Sequence, residues 1–233
     1  AVALAAGLAL QYSLLARADR EPIALLADAI RRGDAADALT CLRSGAEVDG
    51  SSIHLHETDN PMNPAVLGAI EAVVAPTLLQ LRAAAEAGNG EQALAEAGAV
   101  RVLCAHRRGP YGAADWNRLA ERWMYGPDGA GSAWFAGRPL LATRNDPRLG
   151  LANGDTGVVV RRDGRLVAVF QTGLGMRTFE TVQLESVETA YAMTIHKSQG
   201  SEYPTVVMVL PPAASPLVGK ELVYTGATRA KTT

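Results

Sequence analysis

Cysteine is scarce: the 233 residues hold two, Cys41 and Cys104, with no CxxC pair and no Cys/His spacing of a zinc site. That excludes a disulfide scaffold, and both thiols are expected to be reduced, buried small hydrophobes of an intracellular, cytoplasmic protein. Lysine is scarcer still, three against nineteen arginines. None of Lys197, Lys220 and Lys231 completes a G-x-x-x-x-G-K-[ST] frame, so a phosphate-gripping P-loop is missing. No Asp-Glu pair after an apolar strand offers itself to magnesium, and no metal ligand set is expected. No apolar run reaches the roughly 18 residues of a membrane span, so no membrane partner is expected. The opening AVALAAGLAL lacks the basic flank and the initiating Met of a signal peptide and is expected to form a helix.

What is present is ordinary in bulk and uneven in detail. A hydrophobic content of 48% with 20% charge suits a soluble globular protein with one large core or two modest ones. The net charge of −2 argues against a strong nucleic-acid binder, but the charges are segregated. Residues 1–100 hold six arginines against thirteen acids, whereas residues 101–177 hold twelve against six. A basic middle third is the footprint that phosphate binding would leave, and solvated surface arginines would leave the same count.

Helical spacing of Ile23, Leu26, Ala27 and Ile30 predicts a first helix ending at Arg32-Gly33, and Asp34 offers a cap for a second over 35–42. His54 and His56 share one face of a strand, where surface histidines are expected rather than ligands. The Ala/Leu pattern of 64–86 predicts a helix that Pro76 kinks or divides, and a shorter helix is expected over 91–96. Residues 100–105 read as a strand leading into His106, Arg107, Arg108 and Gly109, then an amphipathic helix around 116–124. From 137 to about 188 the period changes to two, with hairpin signals at Asn153-Gly154-Asp155 and Asp163-Gly164. That predicts a small all-β unit of about five strands, a barrel of the SH3 kind. Its seven arginines against three acids between 137 and 177 suggest a face that meets phosphate.

The chemically densest stretch is 190–210. Thr194, His196, Lys197, Ser198, Gln199, Gly200, Ser201 and Glu202 form a polar cassette between two short apolar runs, 191–195 and 205–210. Those flanks read as strands of a parallel sheet buried on both faces, which sets the cassette at a strand end, where open α/β sheets bind ligands. A polar loop that caps a helix from Ser198 or Ser201 is the bland alternative.

TIHKSQGSE (194–202) resembles motif V, and ELVYTGATRAK (221–231) resembles motif VI, of superfamily 1 DNA helicases of the RecD type, the alpha subunit of exodeoxyribonuclease V. VRVLCAHRRGPYG (100–112) and GRPLLATRNDPRLGLANGDTGVV (137–159) resemble segments of the same family. The resemblance implies an α/β fold: a RecA-like, P-loop-NTPase-type motor domain with an inserted SH3-like β-barrel. Residues 1–136 and 189–233 would form the motor domain, and 137–188 the insertion. It implies a catalytic role for Arg229, which matches the arginine that reaches across to the γ-phosphate of ATP. Gly200, Glu202 and Thr228 would approach the nucleotide, as would Arg17 of a motif IV region, with Arg20 second to it. Thr194, His196, Lys197, Ser198 and Gln199 would face single-stranded DNA, joined by His106 and Arg107, and Asn117 matches a position in the helix that follows.

By the same resemblance, ATP and Mg2+ would be held mostly by an N-terminal domain of a longer protein. The 233 residues alone are expected to hold no cofactor, to hydrolyse no ATP and to bind DNA weakly. The whole protein would be a 5′-to-3′ helicase working with the two other subunits of exodeoxyribonuclease V in DNA repair and recombination. Rival readings are a non-catalytic nucleic-acid or protein adaptor, and a stand-alone RecD-like or relaxase helicase.

Overall fold

The structure is a computed structural model and describes residues 2–5, 22–45, 47–48, 51–212, 215 and 219–230. Arg17, Arg20 and Lys231 lie outside the described residues. Two compact units emerge: residues 1–70, 100–115 and 193–233 form one, and residues 71–99 and 116–192 form the other. The 137–188 stretch lies inside the second unit, which also takes in residues 71–99 and 116–136.

The first unit is built on a six-stranded, mixed sheet. In chain order its strands are β1 (Val2–Ala5), β2 (Glu47–Val48), β3 (Ser51–His56), β4 (Val100–Cys104), β10 (Ala192–Thr194) and β11 (Thr205–Val209), and their order across the sheet is β10-β4-β11-β1-β3-β2. β4, β11, β1 and β3 run parallel, and β2 is antiparallel to β3. The central strands carry continuous apolar runs because both their faces are covered: all five residues of β4 are buried, as are Val206, Val207, Met208 and Val209 of β11. The expected helix at the start of the chain is therefore corrected over 2–5, where the backbone is a strand held on both sides, by β11 and β3. Alanine favours a helix, but a parallel ladder on each flank outweighs a propensity worth well under about 1 kcal/mol per residue.

Helices α1 (Pro22–Arg32) and α2 (Ala35–Arg43) follow the expected spacing. Asp34 caps α2 by accepting the amide of Asp37 at 3.0 Å. His54 is exposed and His56 half-buried on β3, and among the described residues no group of three His, Cys, Asp or Glu side chains is arranged to hold a metal ion.

Helix α3 (Pro64–Glu86) contains Pro76 yet is one helix of 23 residues, so of the expected kink or division the division does not occur. Pro76 and Ala72, four residues earlier, are both exposed, so water can satisfy the carbonyl that the missing N–H leaves open. By length and composition alone α3 would qualify as a membrane span, which the sequence reading did not anticipate. Its buried residues Ile70, Val74, Leu78, Leu81 and Ala85 recur every three to four positions, the pattern of a helix packed along one side against protein.

In the second unit, α4 (Gly90–Ala99) lies against a five-stranded antiparallel sheet of β5 (Pro139–Ala142), β6 (Thr156–Arg162), β7 (Arg165–Thr172), β8 (Gly175–Glu180) and β9 (Val187–Thr189). The order β8-β7-β6-β5-β9 is linear, with β8 and β9 at its edges, so the expected closed barrel is corrected to an open sheet. Asp163 (φ 48°) and Gly164 (φ 76°) make the two-residue turn between β6 and β7 that the Asp-Gly signal predicts. Leu140, Val159, Ala168, Phe170, Phe179 and Leu184 fill its core.

Several arginines of the expected phosphate-meeting face also bond within the protein, while five of the seven, Arg144, Arg148, Arg161, Arg162 and Arg165, are exposed. Arg161 pairs with Glu86 at 2.7 Å, and Arg148 with Asp146 at 3.1 Å. Arg162 donates to the Thr178 hydroxyl, Arg177 to the Leu149 carbonyl, and Arg138 to the Thr189 hydroxyl.

Candidate functional site

The cassette begins where β10 ends. Ile195–Ser198 forms a single 3-10 turn, whose geometry buries alternate parts of the run: Ile195 and Ser198 are fully buried, Thr194 is 9% exposed, Lys197 is half-buried, and His196, Gln199, Gly200 and Glu202 are exposed. The Ser198 hydroxyl donates to the Ile195 carbonyl at 2.7 Å. Ser198 therefore shapes the turn from inside, with its hydroxyl turned away from solvent. Gly200 has φ 85°, the left-handed region that favours glycine, and this turns the chain so that the Ser201 amide bonds back to the Ser198 carbonyl at 3.0 Å.

Helix α6 (Lys220–Ala227) carries the second half of the site. It approaches β11 and the 3-10 turn closely at Gly226, where an added Cβ would lie 2.5 Å from Met208 Cε and 3.4 Å from Ile195 Cδ1. Beyond its end, Arg229 is half-buried and fixed from three directions. Its Nε donates to the Thr225 carbonyl, its Nη1 to the Ser201 carbonyl and its Nη2 to the Thr228 hydroxyl, each at 3.1 Å. The Thr228 hydroxyl in turn donates to the Tyr224 carbonyl at 2.9 Å. A guanidinium has five N–H donors, so among the described residues three are engaged and one remains on each terminal nitrogen. The Tyr203 amide donates to the Arg229 carbonyl at 2.8 Å, and Tyr203 and Ala230 form a parallel bridge. Ser201 and Tyr203, on either side of Glu202, are thereby joined to Arg229.

His106 and Arg107 belong to a different place. β4 and β11 run parallel with Val100 beside Thr205 and Cys104 beside Val209. Tyr203 precedes the first of those pairs and His106 follows the last, so the two groups lie at opposite ends of the sheet, separated by roughly 13 Å of strand at least. His106 and Arg107 follow the carboxyl end of β4, and the cassette follows the carboxyl end of β10 and leads into the amino end of β11. In their loop, His106 is half-buried while Arg107 and Arg108 are exposed. The first amides of α5 (Ala113–Tyr125) already bond to the carbonyls of His106, Arg107 and Gly112 at 3.0 to 3.1 Å, so an anion here would meet the arginine side chains.

Asn117 is a clamp. Its amide nitrogen donates to the carbonyls of Thr189 (3.2 Å) and Ala192 (3.0 Å), and its oxygen accepts the Ala192 amide at 2.8 Å. These bonds tie Thr189 and Ala192 to α5 within the second unit. Asn117→Ala is expected to lower stability by about 2–3 kcal/mol, because it strands three partly buried backbone groups. Asn117→Asp, which keeps the acceptor and loses both donors, should lie between the two in a chemical denaturation series; equal stability of all three would show that the clamp is idle.

One buried charge escaped the sequence reading. Arg101 is 3% exposed, and its guanidinium carbon lies 4.8 Å from the centroid of the Tyr203 ring. Burial depresses its pKa. The available signal was a lone arginine inside the otherwise apolar run VRVLC. Cys104 and Tyr191 are also buried, and burial raises both pKa values.

Residues 189–233 match the UvrD-like helicase C-terminal domain. Over 216 residues the chain is 44% identical to the RecBCD enzyme subunit RecD of Mycolicibacterium smegmatis, an alignment covering 91% of this chain and 36% of that protein. It is 35% identical over 138 residues to the ATP-dependent RecD2 DNA helicase of Deinococcus radiodurans, covering 58% of this chain and 19% of that protein. Among solved structures, the Bacteroides Pif1 helicase bound to single-stranded DNA shares 16% identity over 84% of this chain and 52% of its own, with a TM-score of 0.36. The chain thus spans about a third of the length of the RecD relative that it matches over nine-tenths of its own.

Proposed function

On the premise that the chain carries the C-terminal portion of a RecD-type superfamily 1 helicase, we propose that it is the second, RecA-like motor domain of an ATP-dependent 5′-to-3′ DNA helicase. In this reading the whole protein is the alpha subunit of exodeoxyribonuclease V, acts with the two other subunits on DNA ends in the cytoplasm, and serves repair and recombination. The open five-stranded sheet would correspond to the SH3-like insertion of the family. The observation that carries the reading is the three-point fixation of Arg229 beside residues 200–202.

Hydrolysis requires water to attack the γ-phosphorus of ATP while the bond to the bridging oxygen breaks, so negative charge grows on the bridging and terminal oxygens. A guanidinium held in place beforehand stabilises that charge without reorganising when the reaction occurs. Arg229 supplies the charge. Ser201, Thr225 and Thr228 hold its plane, and Glu202 and Gly200 line the approach. The residues described here offer no carboxylate cluster for Mg2+, and the sequence has no P-loop lysine; both belong, in this proposal, to the remainder of the longer protein. His196, Lys197 and Gln199 grip single-stranded DNA through its phosphates, with Arg107 contributing charge from its separate loop.

The test uses the full-length protein. ATP hydrolysis should rise on adding single-stranded DNA, and a duplex with a 5′ overhang should be unwound while one with only a 3′ overhang is not. The 233 residues alone should hydrolyse no ATP. Unwinding from the 3′ overhang would contradict the assigned direction, and DNA-independent hydrolysis would contradict the motor reading.

A further inference from the structure

Arg101 sits second in β4, where an apolar side chain would fill space without the desolvation that a buried guanidinium suffers. Its contact with the Tyr203 ring, 4.8 Å to the centroid, is within cation–π range. Tyr203 is 5% exposed and is attached on two further sides. Its hydroxyl points to Met193 Sδ of β10 at 3.7 Å, and its amide holds the Arg229 carbonyl at 2.8 Å. β4 lies between β10 and β11 in the sheet. The segment that leaves β10 and enters β11 must therefore pass β4, and Arg101 supports it from that strand.

We infer that Arg101 is a positioning residue for Arg229: by seating the Tyr203 ring it sets where the Ser201 carbonyl and the Arg229 backbone stand, and hence where the guanidinium points. The chain of contacts is short. Arg101 meets Tyr203, Tyr203 bonds to the Arg229 backbone, and Ser201, two residues before Tyr203, bonds to the Arg229 side chain. This inference rests on the proposed role of Arg229 in ATP turnover.

The experiment compares Arg101→Met, Arg101→Lys and Arg229→Ala in the full-length protein, measuring kcat and KM for DNA-stimulated ATP hydrolysis at a temperature where circular dichroism shows each variant folded. Arg101→Met keeps the length and loses the charge, and should lower kcat about ten- to a hundredfold, as expected for a catalytic group displaced by about an ångström. KM for ATP should stay within about twofold, because only the transition-state contact is lost. Arg101→Lys restores a cation over the ring and should recover most of the loss. Unchanged kcat in Arg101→Met, or a joint decline of kcat and KM that lysine does not relieve, overturns the inference. Should Arg101→Met fail to fold, Tyr203→Leu removes the ring instead: a selective loss of kcat supports the inference, and unchanged kcat overturns it. The two readings fail separately. If Arg229→Ala still turns over ATP, the role of Arg229 is wrong; if Arg229→Ala is inactive while Arg101→Met matches wild type, only the positioning role of Arg101 is.

Discussion

Arg229→Ala in the full-length protein is expected to reduce DNA-stimulated ATP turnover by about 10³- to 10⁵-fold, the range for removing an arginine that faces a transferring phosphoryl group. That corresponds to ~4–7 kcal/mol of transition-state stabilisation. Nucleotide binding should change little, since the residues that grip the β- and γ-phosphates lie, in the proposed function, elsewhere in the protein. Arg229→Lys should not rescue turnover. The Thr225 carbonyl, Ser201 carbonyl and Thr228 hydroxyl are placed for a planar fork with nitrogens at three corners, and an ammonium can meet only part of that set. Steady-state kinetics with equilibrium binding of a slowly hydrolysed ATP analogue checks both statements. Turnover within about tenfold of wild type would remove Arg229 from the phosphate.

Trp116→Ala should be the most damaging core substitution, costing about 3–5 kcal/mol. The indole is fully buried and meets Trp123 edge-to-face, with ring centroids 6.4 Å apart. It lies on the apolar side of α5 with Leu119, Ala120 and Met124, one residue before the Asn117 clamp. For a domain of this size the loss corresponds to roughly 6–20 °C in melting temperature, readable by calorimetry on the 233-residue chain. A shift under about 3 °C would mean that the helix face does not anchor a core. Trp116→Phe, which keeps an aromatic of smaller volume, should cost well under half as much.

The parts legible in the sequence were those where side-chain chemistry is local. Asp163-Gly164 specified its turn because few residue pairs accept positive φ, and Asp34 specified its cap by the reach of one carboxylate. Residues 194–202 and 221–231, which resemble motifs V and VI, stood out by residue identity, and a bond between Arg229 and the Ser201 carbonyl links the two segments. What the sequence concealed depended on partners distant along the chain. Residues 2–5 read as helical until β11 and β3 are seen to pair on both sides. Pro76 reads as a break until the exposure of Ala72 shows that the freed carbonyl can reach water. Ser198 counted as a candidate phosphate ligand because a hydroxyl in a polar cassette looks available, yet the 3-10 turn directs it inward onto Ile195. Arg101 was counted with the basic middle third, where net charge cannot tell a solvated guanidinium from one stacked beneath a tyrosine. Among the arginines of 137–177, Arg138 and Arg177 are half-buried against protein acceptors, whereas Arg144, Arg148, Arg161, Arg162 and Arg165 are exposed, a distinction that net charge does not carry either.

A structure of the full-length protein with ADP, Mg2+ and a trigonal mimic of the γ-phosphate provides the sharpest discrimination. The Arg229 terminal nitrogens should lie roughly 3 Å from the mimic's oxygens, with Nε still on the Thr225 carbonyl and the plane of the fork retained. A mimic seated with Arg229 still turned wholly to Ser201 and Thr228, its terminal nitrogens beyond hydrogen-bonding reach of any phosphate oxygen, would contradict the assignment of this chain as the arginine-bearing half of an ATP site.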